Sequence, residues 1–118
     1  MDIKKEGNSI TAYNSKIKLT NEQVFISSKI ANYDKLRNFL SFENNVYLED
    51  KVKNITIESD KINYDRNKDL IYSKGNTEIN LNKKYHIKSK NIFFDRKLNT
   101  IYSDYKSIIE DNEKNIYS

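Results

Sequence analysis

A repeat with a period near 30 residues is the strongest constraint on what this chain can become. An aromatic–Asp pair occurs three times, as Tyr33-Asp34, Tyr64-Asp65 and Phe94-Asp95, with the Asp residues 31 and 30 positions apart. Counted from each Asp, the same residue types recur. Six before it stands Ser28, Ser59 or Ser89; six after stands Leu40, Ile71 or Ile101. Twelve after stands Val46, Thr77 or Ser107, and fourteen after stands Leu48, Ile79 or Ile109. An earlier partial copy reads "SKIKLT", where Ile17 and Leu19 align with Val46 and Leu48. A fixed period of this length means stacked supersecondary units, none able to bury its apolar face alone.

Inside each unit the period is two. "NITIES" sets Ile55 and Ile57 against Thr56 and Glu58, and "NTEINLN" sets Thr77, Ile79 and Leu81 against Glu78 and Asn80. "YHIKS" places Tyr85 and Ile87 opposite His86 and Lys88, and "VFIS", "FLSF" and "VYLE" behave alike. Such alternation marks strands with one buried and one wet face. The segments "ENN", "EDKVKN", "DRNKD", "KGN", "NKK" and "DRKLN" carry turn residues between them. "YDKLRNFL" has helical spacing at Tyr33, Leu36, Phe39 and Leu40, but its counterparts in the other units do not, so it reads as a turn followed by a strand. The expected fold is all-β: about a dozen short antiparallel strands coiled into an open β-jelly roll or solenoid-like stack with an apolar groove. Residues 1–118 form one such domain, with recognisable repeats over about 10–110.

Composition removes several function classes. Hydrophobic residues are 36% and charged residues 32%, yet 9 Tyr, 5 Phe and abundant Ile oppose disorder. Without Cys there is no disulfide framework and no thiolate metal site. One His and no Cys leave no constellation for zinc or nucleophilic chemistry, so neither an enzyme, a metal nor a cofactor is expected. The net charge of +4 comes from 18 Lys against 3 Arg, and acidic turns interrupt the Lys throughout, which argues against a nucleic-acid partner. The start lacks an apolar run of signal-peptide length, and no stretch of 18 apolar residues occurs. The expectation is a segment truncated at both ends.

Single residues have structural readings. Asp34, Asp65 and Asp95 are expected to cap turns by accepting backbone N–H bonds. Gly75 is expected to supply a positive-φ turn. His86, alternating with Tyr85 and Ile87, should face water. The apolar rows have two readings from the residues alone: the filled core of a closed solenoid, or the lining of a groove.

The wording of the unit "SDKINYDRNKDLIYSKGNTEI" resembles the OstA-like family of lipopolysaccharide-transport domains, of which LptA-type proteins and the N-terminal periplasmic domain of LptD-type proteins are members. Tyr64-Asp65 with Gly75-Asn76-Thr77-Glu78-Ile79 matches that pattern best. Tyr33-Asp34 with Asn44-Asn45-Val46-Tyr47-Leu48 follows, with Asn44 in place of Gly, and the third copy keeps Phe94-Asp95 but loses the Gly-Asn step. The resemblance implies a twisted β-jelly roll in the periplasm whose groove shields acyl chains of lipopolysaccharide. It also implies partnership with other Lpt-type β-jelly-roll proteins by edge-strand pairing, and with the outer membrane only through a barrel or partner beyond this chain. Each CH₂ removed from water would contribute about 0.8 kcal/mol. The lining expected under this resemblance is Ile17, Leu19, Ile26, Phe42, Val46, Leu48, Ile55, Ile57, Ile79, Leu81, Ile87 and Phe94. The alternative is a structural or adhesive β-solenoid with a closed core and no lipid ligand.

Overall fold

The computed structural model describes residues 2–6, 9–103, 108–111 and 116–117, with side chains over 11–103. These residues contain no helix. They form β1 (Asp2–Glu6), β2 (Ser9–Leu19), β3 (Val24–Asp34), β4 (Phe39–Asp50), β5 (Ile55–Asp65), β6 (Leu70–Leu81), β7 (Tyr85–Lys90), β8 (Ile92–Asp95), β9 (Thr100–Ser103), β10 (Ile108–Asp111) and β11 (Ile116–Tyr117). All belong to one antiparallel sheet, open at its edges, in which sequential strands are spatial neighbours from β1 to β7 and then β10 and β11. The fold is all-β and jelly-roll-like.

Strand length explains how one sheet encloses a core. β2 to β6 run for 11 or 12 residues, too long to lie flat on a molecule of 49 × 25 × 24 Å without bending. Register shifts break the ladders near mid-strand, between Ser27 and Ile30, Glu43 and Val46, and Ser59 and Lys61. An extra residue in one strand bends and twists it, and bends aligned across neighbouring strands fold the sheet along a line. β6 shows the result: Leu70–Tyr72 pair with β8, while Asn76–Leu81 pair with β7. β7 and β8 are therefore two halves of one bent strand, joined at Asn91 with φ 53.

Two half-sheets face each other across the interior. One carries the in-register row Ile17, Ile26, Leu48, Ile57, Ile79 and Ile87. The other carries Tyr33, Leu40, Tyr64, Ile71, Phe94 and Ile101. Period-two alternation dictates this, because every second residue of a strand shares a face.

A seam of hydroxyls runs inside the fold line. Ser28 Oγ donates to the Ile30 carbonyl at 2.9 Å, and Ser59 Oγ lies 3.2 Å from the Lys74 carbonyl and 3.3 Å from that of Asn76. Ser73 Oγ and Thr77 Oγ1 are 2.6 Å apart, and Ser73 Oγ accepts the Ile92 N–H at 3.1 Å. Bulges strand backbone groups that the ladder no longer pairs, and short hydroxyl side chains satisfy them. The Ser that recurs six residues before each Asp is thus a corner residue of the folded sheet.

Two expectations change. "ENN" and "KGN" read as turns between short strands, but Asn44, Asn45 and Gly75 lie within β4 and β6, at the bend. Their positive φ values (67, 54 and 82) serve bulges, not hairpins, so the flanking pieces belong to single long strands. The remaining turn segments are genuine. Residues 20–23, 35–38, 51–54, 66–69 and 96–99 are four-residue turns whose last member, Gln23, Asn38, Asn54, Asp69 or Asn99, has φ between 51 and 55. Asn and Asp tolerate that left-handed conformation better than most residues. "YDKLRNFL" is a turn followed by a strand, as expected. The third copy's Asp104–Ser107 lies outside the described residues, and Ile109 is placed only by its backbone in β10.

Candidate functional site

The interior gathers the expected lining. Ile26, Phe42, Val46, Leu48, Ile55, Ile57, Ile79, Ile87 and Phe94 are buried, and Ile17, Leu19 and Leu81 pack half-buried against them. Tyr64, Ile62, Ile71, Leu40, Val24, Ala31 and Ile92 belong to the same cluster and were absent from the expected set. Part of their signal was present: Ile62 and Tyr64 alternate with the polar Lys61, Asn63 and Asp65, and Leu40 and Ile71 are themselves repeat positions. The central side chains touch one another, so the interior is filled.

Opposite the fold line the two half-sheets end in turns, and here the chain has an unexpected polar closure. Turns 20–23, 51–54 and 82–84 cap one half-sheet; turns 35–38, 66–69 and 96–99 cap the other. Within a row, successive turns are stitched by backbone bonds, Lys51 N to the Gln23 carbonyl at 3.2 Å and Arg66 N to the Asn38 carbonyl at 3.1 Å among them. Between the rows, Arg66 Nε reaches Glu22 Oε2 at 2.9 Å. Arg96 Nε donates to Asp50 Oδ2 at 2.8 Å, its Nη1 to Asp69 Oδ1 at 2.7 Å and Tyr64 Oη at 3.0 Å, and its Nη2 to the Glu22 carbonyl at 3.0 Å. The Tyr64 hydroxyl in turn donates to Asp69 Oδ1 at 2.6 Å. Asp50 is 0% exposed and Arg96 8%. These residues bridge the mouth between the half-sheets.

Each charge in the cluster is compensated. Burial would lower the Arg96 pKa, but the bonds to Asp50 and Asp69 outweigh it and hold the guanidinium charged. Burial pushes the Tyr64 hydroxyl well above its ordinary 10.0, and its bond to Asp69 adds to the rise. For Asp69 burial acts upwards, but Tyr64 and Arg96 prevail and its carboxyl falls below the ordinary 3.8. No buried side-chain nitrogen or oxygen among the described residues lacks a partner.

Glu22, Arg66, Asp69 and Arg96 were not singled out from sequence, and Asp50, which as half of an acidic pair at a strand end reads as a solvated turn residue, is instead buried against Arg96. The available signal was rarity: of 3 Arg among 21 cationic residues, Arg66 and Arg96 both directly follow the repeated Asp. Arg is the residue suited to a forked, buried ion pair. Asp50 also completes a D-x-x-x-N/D series, Asp34/Asn38, Asp50/Asn54, Asp65/Asp69 and Asp95/Asn99.

The capping reading of the Asp residues holds. Asp34 Oδ1 accepts the N–H of Leu36 at 3.1 Å and of Arg37 at 3.3 Å; Asp65 Oδ1 accepts those of Asn67 and Lys68 at 3.1 and 3.2 Å; Asp95 Oδ1 accepts Leu98 N at 3.1 Å. The Arg37 guanidinium, 2.8 Å from Asp34 Oδ2, holds that carboxyl below its usual range. His86 lies on the wet face of β7, with Nδ1 2.6 Å from Asn80 Oδ1 and Nε2 3.8 Å from Glu78 Oε1. Among the described residues no group of three or more His, Asp or Glu is placed to hold a metal.

The outer surface has two further features. An open groove of about 900 Å³ follows the fold line, lined by the in-register Tyr47, Glu58, Glu78 and Lys88 with Asp60 and Lys90. On the other half-sheet, Phe39, Tyr72, Phe93 and Tyr102 stand side by side, with ring centroids 6.3, 5.8 and 5.1 Å apart. Phe93 stacks on its cross-strand partners Tyr72 and Tyr102, pairs that pin the register, while Phe39 meets Tyr72 at a tilt across β5. The groove's lining also includes the buried corner residues Val46, Ser59 and Thr77. No family model matches this chain, and no curated protein matches it.

Proposed function

We propose that this protein is a lipopolysaccharide-binding segment of a periplasmic transport bridge to the outer membrane, of LptD N-terminal or LptA type. It works by shielding acyl chains between its two half-sheets. One observation carries the reading: the apolar rows run in register from β2 to β8 along the long axis, as equivalent rungs and not as one specific pocket. Equivalent rungs let a chain of methylenes slide with little change in energy, since each CH₂ leaving one contact gains another. The filled interior requires the half-sheets to spread before acyl chains can occupy it. Strand β1 has β2 as its one partner among the described residues, which leaves its outer edge able to pair with another jelly-roll domain.

The bridged mouth favours a second reading, a structural solenoid whose core stays closed. Photo-reactive side chains at Ile57 and Glu58 separate the two. These neighbours face opposite sides of β5, Ile57 at 1% exposure inside and Glu58 outside. With lipopolysaccharide present, the transport reading expects an adduct from Ile57 and none from Glu58. A folded protein that forms no adduct at either position is a closed solenoid.

A further inference from the structure

The edge of the molecule formed by the two rows of turns carries a second pattern. Leu36, Val52 and Leu98 are 78%, 57% and 73% exposed, and all three sit at turn tips on this edge. The turn backbone does not require them, because Asn67 occupies the position in its turn that Leu36 and Val52 occupy in theirs, two residues after the capping Asp. Leu36 and Val52 lie between cations, in "KLR" and "KVK", and Leu98 directly follows Lys97. Lys35, Lys51, Lys53, Lys68, Lys84 and Lys97 all stand on the same edge, none of them buried. Carboxylates share this edge: Asp34, Asp50, Asp65 and Asp95 bond turn N–H groups, Glu22 and Asp69 face the bridging arginines, and Glu49 stands near Lys51. The opposite edge, along the fold line, mixes both signs, with Lys61 paired to Glu43 and Lys88 to Glu78, and the remaining large exposed apolar side chain among the described residues, Tyr102, lies on the outer face of β9 stacked on Phe93.

We infer that this turn edge docks on the anionic surface of a lipid bilayer. Lysines draw the edge to acidic headgroups, and the three aliphatic tips enter the interfacial layer beside them, which is the combination that peripheral attachment requires. Because the turns stack along the long axis, several contacts act together and none need be strong. A soluble anion would explain the lysines but not the aliphatic tips. A protein partner would need a contiguous apolar patch, and these tips are separated by polar turns.

The test is vesicle flotation of the whole chain with phosphatidylcholine vesicles and with phosphatidylcholine–phosphatidylglycerol vesicles. The chain is expected to float with the mixed vesicles alone, and raised salt should weaken that binding. Replacing the exposed tips (Leu36→Ser, Val52→Ser and Leu98→Ser together) removes no core contact and should lower binding roughly tenfold or more. Lys88→Ser with Lys90→Ser, on the fold line, should leave binding unchanged. Binding that ignores the three tip substitutions, or that inorganic phosphate abolishes, overturns the inference, as does failure to float. The vesicles hold no lipopolysaccharide, so this result and the Ile57 adduct fail or succeed separately.

Discussion

At the scale of single residues, Arg96 stands apart. Its guanidinium holds Asp50, Asp69, the Tyr64 hydroxyl and the Glu22 carbonyl at once, in a place that water barely reaches. Arg96→Ala leaves the Asp50 carboxylate buried beside no cation, a change that typically costs about 3–5 kcal/mol. Urea unfolding should show that loss, whereas Glu43→Gln, which breaks the exposed pair with Lys61, should cost about 1 kcal/mol or less. The same cluster contributes to both limbs of the pH profile. Asp69 has a depressed pKa in the folded state, so below its ordinary 3.8 the unfolded chain binds more protons and stability falls as pH falls. Tyr64 has a raised pKa, so above its ordinary 10.0 the unfolded chain has released a proton that the folded chain keeps, and stability falls as pH rises. Thermal midpoints against pH should show a shallower acid limb in Asp69→Asn and a shallower alkaline limb in Tyr64→Phe. Unchanged slopes in either variant would remove that residue from the account.

At the scale of elements, the bend in each strand does the work that a loop does in most sandwiches. β4 and β6 pass between half-sheets without leaving the ladder for more than a residue or two, and the unpaired groups find Ser59, Ser73, Thr77 and the Asn91 side chain. Gly75 tests this corner. Its φ is +82, and a Cβ built there meets nothing within 4 Å, so the cost of Gly75→Ala is purely that of backbone conformation. That cost is about 1–2 kcal/mol. Gly75→Asn should cost less, because Asn44 and Asn45 already hold positive φ at the β4 bend. Unfolding midpoints that rank Ala at or above Asn would mean that the bend is not limited by this residue.

At the scale of the whole molecule, the proposed function turns on whether the half-sheets separate. Both Glu22–Arg66 and Asp50–Arg96 join turns of opposite rows, so spreading the mouth must break them. The chain has no Cys, which makes a pair of introduced thiols unambiguous. With Glu22→Cys and Arg66→Cys joined by a short bis-maleimide, the proposed acyl uptake should fall several-fold relative to the unjoined variant, read as adduct yield from Ile57. Equal yields would show that lipid reaches the interior without opening this mouth.

Sequence by itself determined the strands, their wet and apolar faces, and the hairpin turns. These follow from neighbours along the chain: alternation fixes which face is buried, and an Asp followed four residues later by Asn or Asp closes a turn locally. Leu48 and Ile79 were legible as equivalent repeat positions and do share a rung, but the earlier partial copy is offset by two residues: Ile17, and not Leu19, stands in register with Ile26 and Leu48. What sequence did not separate was a turn from a bulge. Asn44-Asn45 and Gly75-Asn76 offer the same positive-φ residues to either, and the choice depends on whether the strand beyond them pairs back on its predecessor or continues along a neighbour. The fold line decided that, and so made two half-sheets from one. The bridge at the mouth was hidden for a related reason. Arg96 and Asp50 lie 46 residues apart, and only closure of the sheet on itself brings a surface-looking "DRK" turn against a strand end and removes both from water.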